Sequence, residues 1–463
     1  MKKILYIILF FCCTGSFHSC SDYLNVDKYF YDQLTLDSAF SKRVYVDGWL
    51  ATTFDVMGRA GEFYEPFRWA SDDLYHPDMI NYVEGNYSAS NQLWDGAQIE
   101  SRIWRMYEGV RRASTFIDNV DNCPELTMSE TSDMKAQARF LRAYCYWGLI
   151  RALGPVPFIP TEGLDVNLSY EELSLPREHF DFIVNFIDKE LAEAARSLPA
   201  TRTTNNMGHP TRGAALALRA RVLLFAASPL FNGNTDLFDL KDNKGRQLVS
   251  QEYDESKWAR AAAAAKDVID LNVYKLYTAA YNSKGSDAYP ATVNPPHHDI
   301  YSEKDFPEGW ANIDPFESYR AIFNGDLYVS ENPELIFTRG TNGIEVGVRS
   351  IVRLQMPKAV GGENCHGLTA KQCDAYDMNN GLPFDINTCE KGFVTEEELD
   401  KYPQLKPGVW KEYANREPRF YASVAFNGAF WPCTSSTEDD YRNKQAWYYR
   451  GSAEGRTNST HQW

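Results

Sequence analysis

Apolar positions along residues 135–160 repeat at helical spacing on two faces at once. Phe140, Ala143, Tyr144 and Trp147 share one stripe, and Leu141, Cys145, Leu149 and Ala152 a second. A helix apolar on nearly all sides belongs between other elements rather than on a surface. Thr127 with Glu130 three residues on fits a capping box, with Ser129 and Ser132 as competing caps. Gly154 supplies a stop, and Pro155 and Pro157 forbid continuation. About seventy residues later a second apolar helix is predicted, opened by Thr211 and closed by Ser228 and Pro229. Its six alanines (Ala214, Ala215, Ala217, Ala220, Ala226 and Ala227) would let neighbouring helix axes come close, and it is the expected partner of the first.

The same periodicity predicts helices over 36–57, 99–120, 135–153, 179–198, 211–227 and 256–271. Short polar loops between helices of this length suggest stacked hairpins, although no clean 34-residue repeat is visible. Asp242 to Gly245 reads as a turn between short strands. After Tyr277 the helical period is lost. Residues 278–330 instead carry Tyr281, Tyr289, Tyr301, Phe306, Trp310, Phe316, Tyr319, Phe323 and Tyr328. A second irregular, aromatic-rich stretch runs from Phe63 to Trp94. Long aromatic loops inside a compact protein are usually functional.

At the start of the chain Lys2 and Lys3 precede an apolar run from Ile4 to Cys13, the order of a secretory signal and too short to span a bilayer. Phe17-His18-Ser19-Cys20 reads as a loose lipobox with Cys20 lipidated; ordinary cleavage leaving a free Cys20 is the competing reading. Composition narrows the partners. The net charge is −16, more negative still once Lys2 and Lys3 leave, which repels nucleic acid and anionic lipid. Hydrophobic residues make up 44% of the chain, enough for a large core without disulfides. Cys123, Cys145, Cys365, Cys373, Cys389 and Cys433 remain after the signal and Cys20; Cys145 reads as a small core hydrophobe.

Aromatic rings interleaved with Asp, Asn and Arg on loops suit a sugar. A flat π-face stacks under the C–H face of the ring, while carboxylates, amides and Arg bond its hydroxyls. The 63–94 stretch supplies Trp69, Asp72, Asp73, Tyr75, Asn81, Tyr82, Tyr87 and Trp94. The bland alternative is that each ring only packs its loop onto the scaffold. No serine-hydrolase, zinc-protease or phosphate-loop motif occurs, and no cofactor is called for. Thr395 to Glu398 reads as a capping box rather than a catalytic carboxylate pair. His297, His298 and Asp299 could touch a metal, but a solvated loop is the simpler reading. Arg139, Arg142, Arg151, Arg219 and Arg221 are expected to bridge helices rather than bind anions.

The stretches "ARFLRAYCYWGLIRALGPVPFI" and "PTRGAALALRARVLLFAASPLFNG" resemble the two most typical motifs of the SusD/RagB family. These are nutrient-binding lipoproteins of the outer-membrane surface that accompany TonB-dependent transporters. "PREHFDFIVNFIDKELAEAARSLP", "NPELIF", "CDAYDMNNG" and "YANREPRFYASVAFNG" are similar to further family segments in the expected order. The resemblance implies a mostly α fold of stacked helical hairpins, tetratricopeptide-like, with a loop-rich second part. It implies an oligosaccharide ligand, a SusC-like TonB-dependent transporter as partner, a membrane held only through the lipid anchor, and no catalysis. It places ligand contacts after an Ala-Ser-Asp segment and in the later insertion, which gives Asp73, Trp94, Trp310 and Tyr319. With Tyr75 and Asn81 from the same stretch these form the candidate ligand set. The expected organisation is a signal peptide over 1–19, a lipidated tether and docking arm over 20–35, a helical scaffold over 36–277 and a loop-rich region over 278–463. No match to the family's usual later helix follows, so the chain is expected to be incomplete at its C-terminus. Three readings compete: a RagB-like peptide binder, a scaffold that only assembles other lipoproteins, and a secreted all-α glycosidase.

Overall fold

The computed structural model describes residues 35–59, 73–75, 96–165, 167–282, 295–338, 353, 355–364, 366–431, 433, 437, 439–449, 451, 452 and 454. The signal peptide, Cys20, nearly all of the tether, Asn81, Trp94 and Cys365 lie outside them.

Helices dominate. They are α1 (Leu36–Ala39), α2 (Arg43–Arg59), α3 (Gly96–Asn119), α4 (Met128–Leu153), α5 (Tyr170–Leu173), α6 (Phe180–Ser197), α7 (Arg212–Ala227), α8 (Ser256–Ile269), α9 (Pro315–Arg320), α10 (Ala370–Asp374) and α11 (Pro418–Ser423). Three two-stranded ladders join β1 (Leu74–Tyr75) to β4 (Gly367–Leu368), β2 (Ala279–Ala280) to β3 (Ile313–Asp314), and β5 (Phe430–Trp431) to β6 (Lys444–Gln445), all antiparallel.

Capping sets the long helices. Thr127 caps α4: its hydroxyl accepts from the Glu130 N–H at 3.3 Å, and its own N–H donates to the Glu130 carboxylate at 2.9 Å. Gly154, at φ 68° and ψ −134°, ends the same helix in a conformation that a Cβ would strain. Thr211 caps α7 through the Ala214 N–H, and the His179 ring caps α6 through the Asp181 N–H. The Thr127 bonds, with Arg43 behind them, hold the Glu130 carboxyl down at about 2 from an ordinary 4.5. A carboxyl depressed on folding adds stability that is complete above 4.5 and disappears as the pH falls toward 2. Thr127→Val is expected to flatten that acid-side loss, read as the difference in unfolding temperature between about pH 5 and about pH 3.

One predicted helix is broken. The pattern favours a continuous run over 36–57, yet α1 stops at Ala39 and α2 starts at Arg43. Ser41 Oγ donates to the Ser38 carbonyl at 2.8 Å, a local bond that competes with the helical one. The Arg43 N–H is taken by the Glu125 carboxylate at 2.7 Å, which anchors the fresh start. The break turns Phe40 inward, where its ring meets Trp49 and Phe116.

Each long helix from α3 onward packs on the next: α3 on α4, α4 on α6, α6 on α7 and α7 on α8, with α2 across α3 and α4. The expected direct pairing of α4 with α7 is therefore replaced, because α6 lies against both. The two still meet where the Trp147 and Phe225 rings stand edge to face, 5.1 Å apart. Both faces of α4 are buried, including Phe140, Leu141, Cys145, Trp147, Leu149 and Ile150. Burial pushes the Cys145 thiol up to about 12, so it is an unreactive hydrophobe. Gly109 marks the closest approach: a Cβ there would sit 2.5 Å from Cys145 Sγ and 2.9 Å from Val56. Gly109→Ala is expected to cost about 1–3 kcal/mol by overpacking, measured by urea unfolding.

Charged side chains tie the stack. Arg139 and Arg142 of α4 both bond Glu190 of α6, and Arg219 of α7 bonds Asp188 and Asp267. These three arginines do what the sequence suggested. The loop-rich part has its own core of Phe316, Tyr402, Leu405, Val409, Phe420 and Tyr421. Inside it the Arg416 guanidinium lies between the Phe384 and Phe420 rings, at 3.9 and 4.5 Å, and donates to the carbonyls of Cys373 and Tyr376. Phe337, from the "NPELIF" segment, meets Phe140 of α4 at 5.4 Å and so joins the helical core.

Candidate functional site

The irregular segment after Tyr277 folds on itself around one asparagine. The β2–β3 ladder pairs Ala279 with Asp314 and Ala280 with Ile313. The Tyr281 N–H extends it by donating to the Asn312 carbonyl at 3.1 Å. The Asn312 side-chain oxygen accepts from the Phe306 N–H at 2.9 Å. Trp310 and Ala311 donate in turn to the carbonyls of Tyr301 and Lys304, both at 2.9 Å. This close crossing requires Gly309, where a Cβ would lie 2.3 Å from the Tyr301 oxygen and 2.4 Å from that of Lys304. Asp314 then caps α9 through the Glu317 N–H, with Pro315 as its first residue.

The result is a stitched loop carrying Tyr281, Tyr301, Phe306 and Trp310. Trp310 is half-buried, while Tyr281 is 56% exposed, Tyr301 52% and Phe306 37%. Their rings face solvent on a hydrogen-bonded frame, with the His298 ring 4.6 Å from that of Tyr301. Tyr319, on α9, is half-buried against Phe323 at 5.3 Å, and Phe323 and Tyr328 are exposed beyond it. Phe316, on the inner side of α9, is fully buried and serves the second core.

Of the candidate residues, Trp310 and Tyr319 thus share one segment on adjoining elements. Asp73 is exposed beside the β1–β4 ladder, where Leu74 pairs with Leu368 and Tyr75 with Gly367. The Thr369 N–H bonds the Asp73 carbonyl at 3.0 Å. Residues 73–75 are thereby fastened to the loop-rich part. The Tyr75 side chain, Asn81 and Trp94 lie outside the described residues. Tyr281, Tyr301 and Phe306 were visible in the sequence as loop aromatics but not as members of the set. The signal that could have found them is Asn312 with Gly309, a compact turn that folds the loop back.

A cavity of about 820 Å³ lies elsewhere, between α2, the start of α4 and the loop before α7. Several of its polar side chains satisfy one another. Arg202 bonds both oxygens of Asp133, Gln137 donates to Asp133, and the His209 ring bonds Gln137 at 2.7 Å. Burial, with Arg202 nearby, lowers the His209 pKa, which keeps the ring neutral. Among the described residues Phe54 is the one ring lining it besides His209. The exposed loop aromatics, by contrast, leave ring surface open to solvent. Among the described residues no group of three or more His, Cys, Asp or Glu could hold a metal ion. His297 instead stands 3.4 Å from Asp299 and 3.8 Å from Glu303.

Comparison with known proteins bears on what this platform is for. Residues 66–224 match the family described as "Starch-binding associating with outer membrane", and residues 333–463 match the SusD family. A SusD-like protein of Bacteroides ovatus is 26% identical over 286 residues, 56% of this chain and 47% of its own. SusD-like protein P25 of Formosa agariphila is 28% identical over 158 residues, 32% of this chain and 29% of its own. The chain thus spans less than half the length of either curated relative. Among solved structures, BT4246 superposes with a TM-score of 0.62 at 25% identity, over 84% of this chain and 66% of that one. A SusD-like carbohydrate binding protein of Bacteroides fragilis shares the fold, with a TM-score of 0.53 at 17% identity, over 86% of this chain and 62% of that one. The motifs, the mostly α fold of stacked helical hairpins and these matches agree: the chain belongs to the SusD/RagB family.

Proposed function

We propose that the protein is a surface glycan-binding lipoprotein that captures oligosaccharides without cleaving them and passes them to a TonB-dependent transporter of the outer membrane. The observation that carries the binding step is the set of exposed rings, Tyr281, Tyr301 and Phe306, held beside Trp310 on a hydrogen-bonded loop. Rings buried to stabilise a loop would not face water, and rings facing water on a fixed frame suit the C–H faces of sugars. Asp73, Tyr75, Asn81, Trp94 and Tyr319 complete the proposed contacts. Carboxylate and amide groups among them would bond the sugar hydroxyls. Anchoring is assigned to acyl chains on Cys20, and Cys20→Ala is expected to leave the protein in the aqueous phase of a detergent partition.

The binding step is tested by calorimetry on neutral oligosaccharides. Trp310→Ala is expected to cost about 1–2 kcal/mol, roughly a 5- to 30-fold loss of affinity, with the unfolding temperature nearly unchanged. Gly309→Ala is expected to give a similar loss by pushing apart the Tyr301 and Trp310 strands of the loop. Wild-type affinity in both variants would move the site elsewhere. Accumulation of shorter sugars with the wild-type protein would make it an enzyme, and binding of peptides in place of sugars would favour the RagB-like alternative.

A further inference from the structure

The aromatic loop carries a charge pattern of its own. Between residues 299 and 310, Asp299, Glu303, Asp305 and Glu308 are interleaved with Tyr301, Phe306 and Trp310, with Lys304 as the one ammonium of that stretch. All four carboxylates are exposed, the side chains of Asp299 at 98% and Glu303 at 70%. Asp299 and Glu303 share one imidazole, His297, and among the described ion pairs Asp305 and Glu308 have no cationic partner. None of these exposed groups serves the core, so the pattern acts mainly on whatever approaches the rings.

Two electrostatic effects then add with the same sign. The face of an aromatic ring is itself negative and repels an anion placed over it. The surrounding carboxylates raise that repulsion, and the net charge of −16 on the chain supplies the long-range part. We infer that this platform takes uncharged glycans and rejects those bearing uronate, sulfate or phosphate groups, an inference that rests on the glycan-binding reading above. Were three net negative charges to lie about 8 Å from a stacked uronate, the penalty would be about three- to tenfold in affinity for each such group at low salt. It collapses when the Debye length falls to about 3 Å near 1 M salt.

Matched pairs of glycans that differ only in charge test this directly. Tetragalacturonate is compared with its methyl ester, and sulfated cellotetraose with cellotetraose, by calorimetry on the mature protein at about 0.05 and 1 M salt. The expected result is binding of the neutral member, weaker binding of the charged one at low salt, and a gap that closes at high salt. In the variant Asp299→Asn, Glu303→Gln, Asp305→Asn, Glu308→Gln the low-salt gap is expected to fall to about twofold or less. These side chains are exposed, so its unfolding temperature should match the wild type. A charged member bound as tightly as its neutral partner at low salt, or a gap unchanged in the variant, overturns the inference while leaving glycan binding intact. If no member of any pair binds, the glycan-binding reading itself fails, and this one with it.

Discussion

Glu190→Ala is expected to destabilise the protein by about 3–5 kcal/mol, the cost of stranding a buried charge. Glu190 is 5% exposed and accepts from Arg139 at 2.7 Å and from Arg142 at 2.9 and 2.6 Å. Arg142 is 4% exposed; without the carboxylate it keeps, among the described residues, Ser114 at 3.1 Å and the face of Phe186. Neither replaces a counter-charge in a site that water does not reach. The double variant Arg142→Met, Glu190→Leu separates the charge effect from the loss of packing. It is expected to recover most of the stability, because buried ion pairs gain little over apolar groups of similar volume. Urea unfolding of the two variants measures both quantities. A loss below about 1 kcal/mol for Glu190→Ala would mean that water enters between α4 and α6.

Trp147→Ala is expected to cost as much, about 3–5 kcal/mol, for a different reason. Trp147 is 2% exposed, stands edge-on to Phe225 and has the Arg151 guanidinium 5.8 Å from its ring centroid. It is the ring through which α4 reaches past α6 to α7, so its removal opens a cavity at the junction of three helices. Trp147→Phe should retain most of the stability, since among the described residues the indole N–H has no hydrogen-bond acceptor to lose. If the alanine variant unfolds at the wild-type urea midpoint, α4 is not held at this point.

The burial of Trp147 and the bridging role of the arginines were legible in the sequence because α4 advertises its burial; Glu190 as their partner was not. Phe140, Leu141, Cys145, Trp147 and Leu149 cover two faces, and no solvated stripe remains. The arginines on α4 and α7 had to find carboxylates on neighbouring helices, and Glu190 and Asp188 supply them. Order in the stack was less legible. Two apolar helices were expected to pair directly, but apolarity says only that a helix is covered and not by which neighbour. The α1–α2 break was missed for a related reason: one serine bonding a carbonyl three residues back does not alter hydrophobic period. In the platform, Trp310 and Tyr319 were chosen from a segment rich in rings. Their companions depend on the return of the loop to Asn312, made partly by its side chain and partly by backbone atoms that every residue possesses. Composition could suggest the chemistry of that segment, while its geometry required the turn.

The β1–β4 ladder has a consequence for the order in which the molecule assembles. Leu74 pairs with Leu368 across about 290 residues of chain, whereas the helical stack is built almost wholly from neighbours in sequence. Local contacts form early, and distant ones wait for loop closure and, on the ribosome, for the partner strand to be made. The helices from α3 to α8 can therefore gather while residue 368 is still unsynthesised. The strand beside Asp73 stays unpaired until much later. A newly made chain would acquire its rigid frame first and fasten this edge last. Among the described ladders, the hydrogen-bonding edge at Leu74 and Tyr75 is then the one left open longest during synthesis.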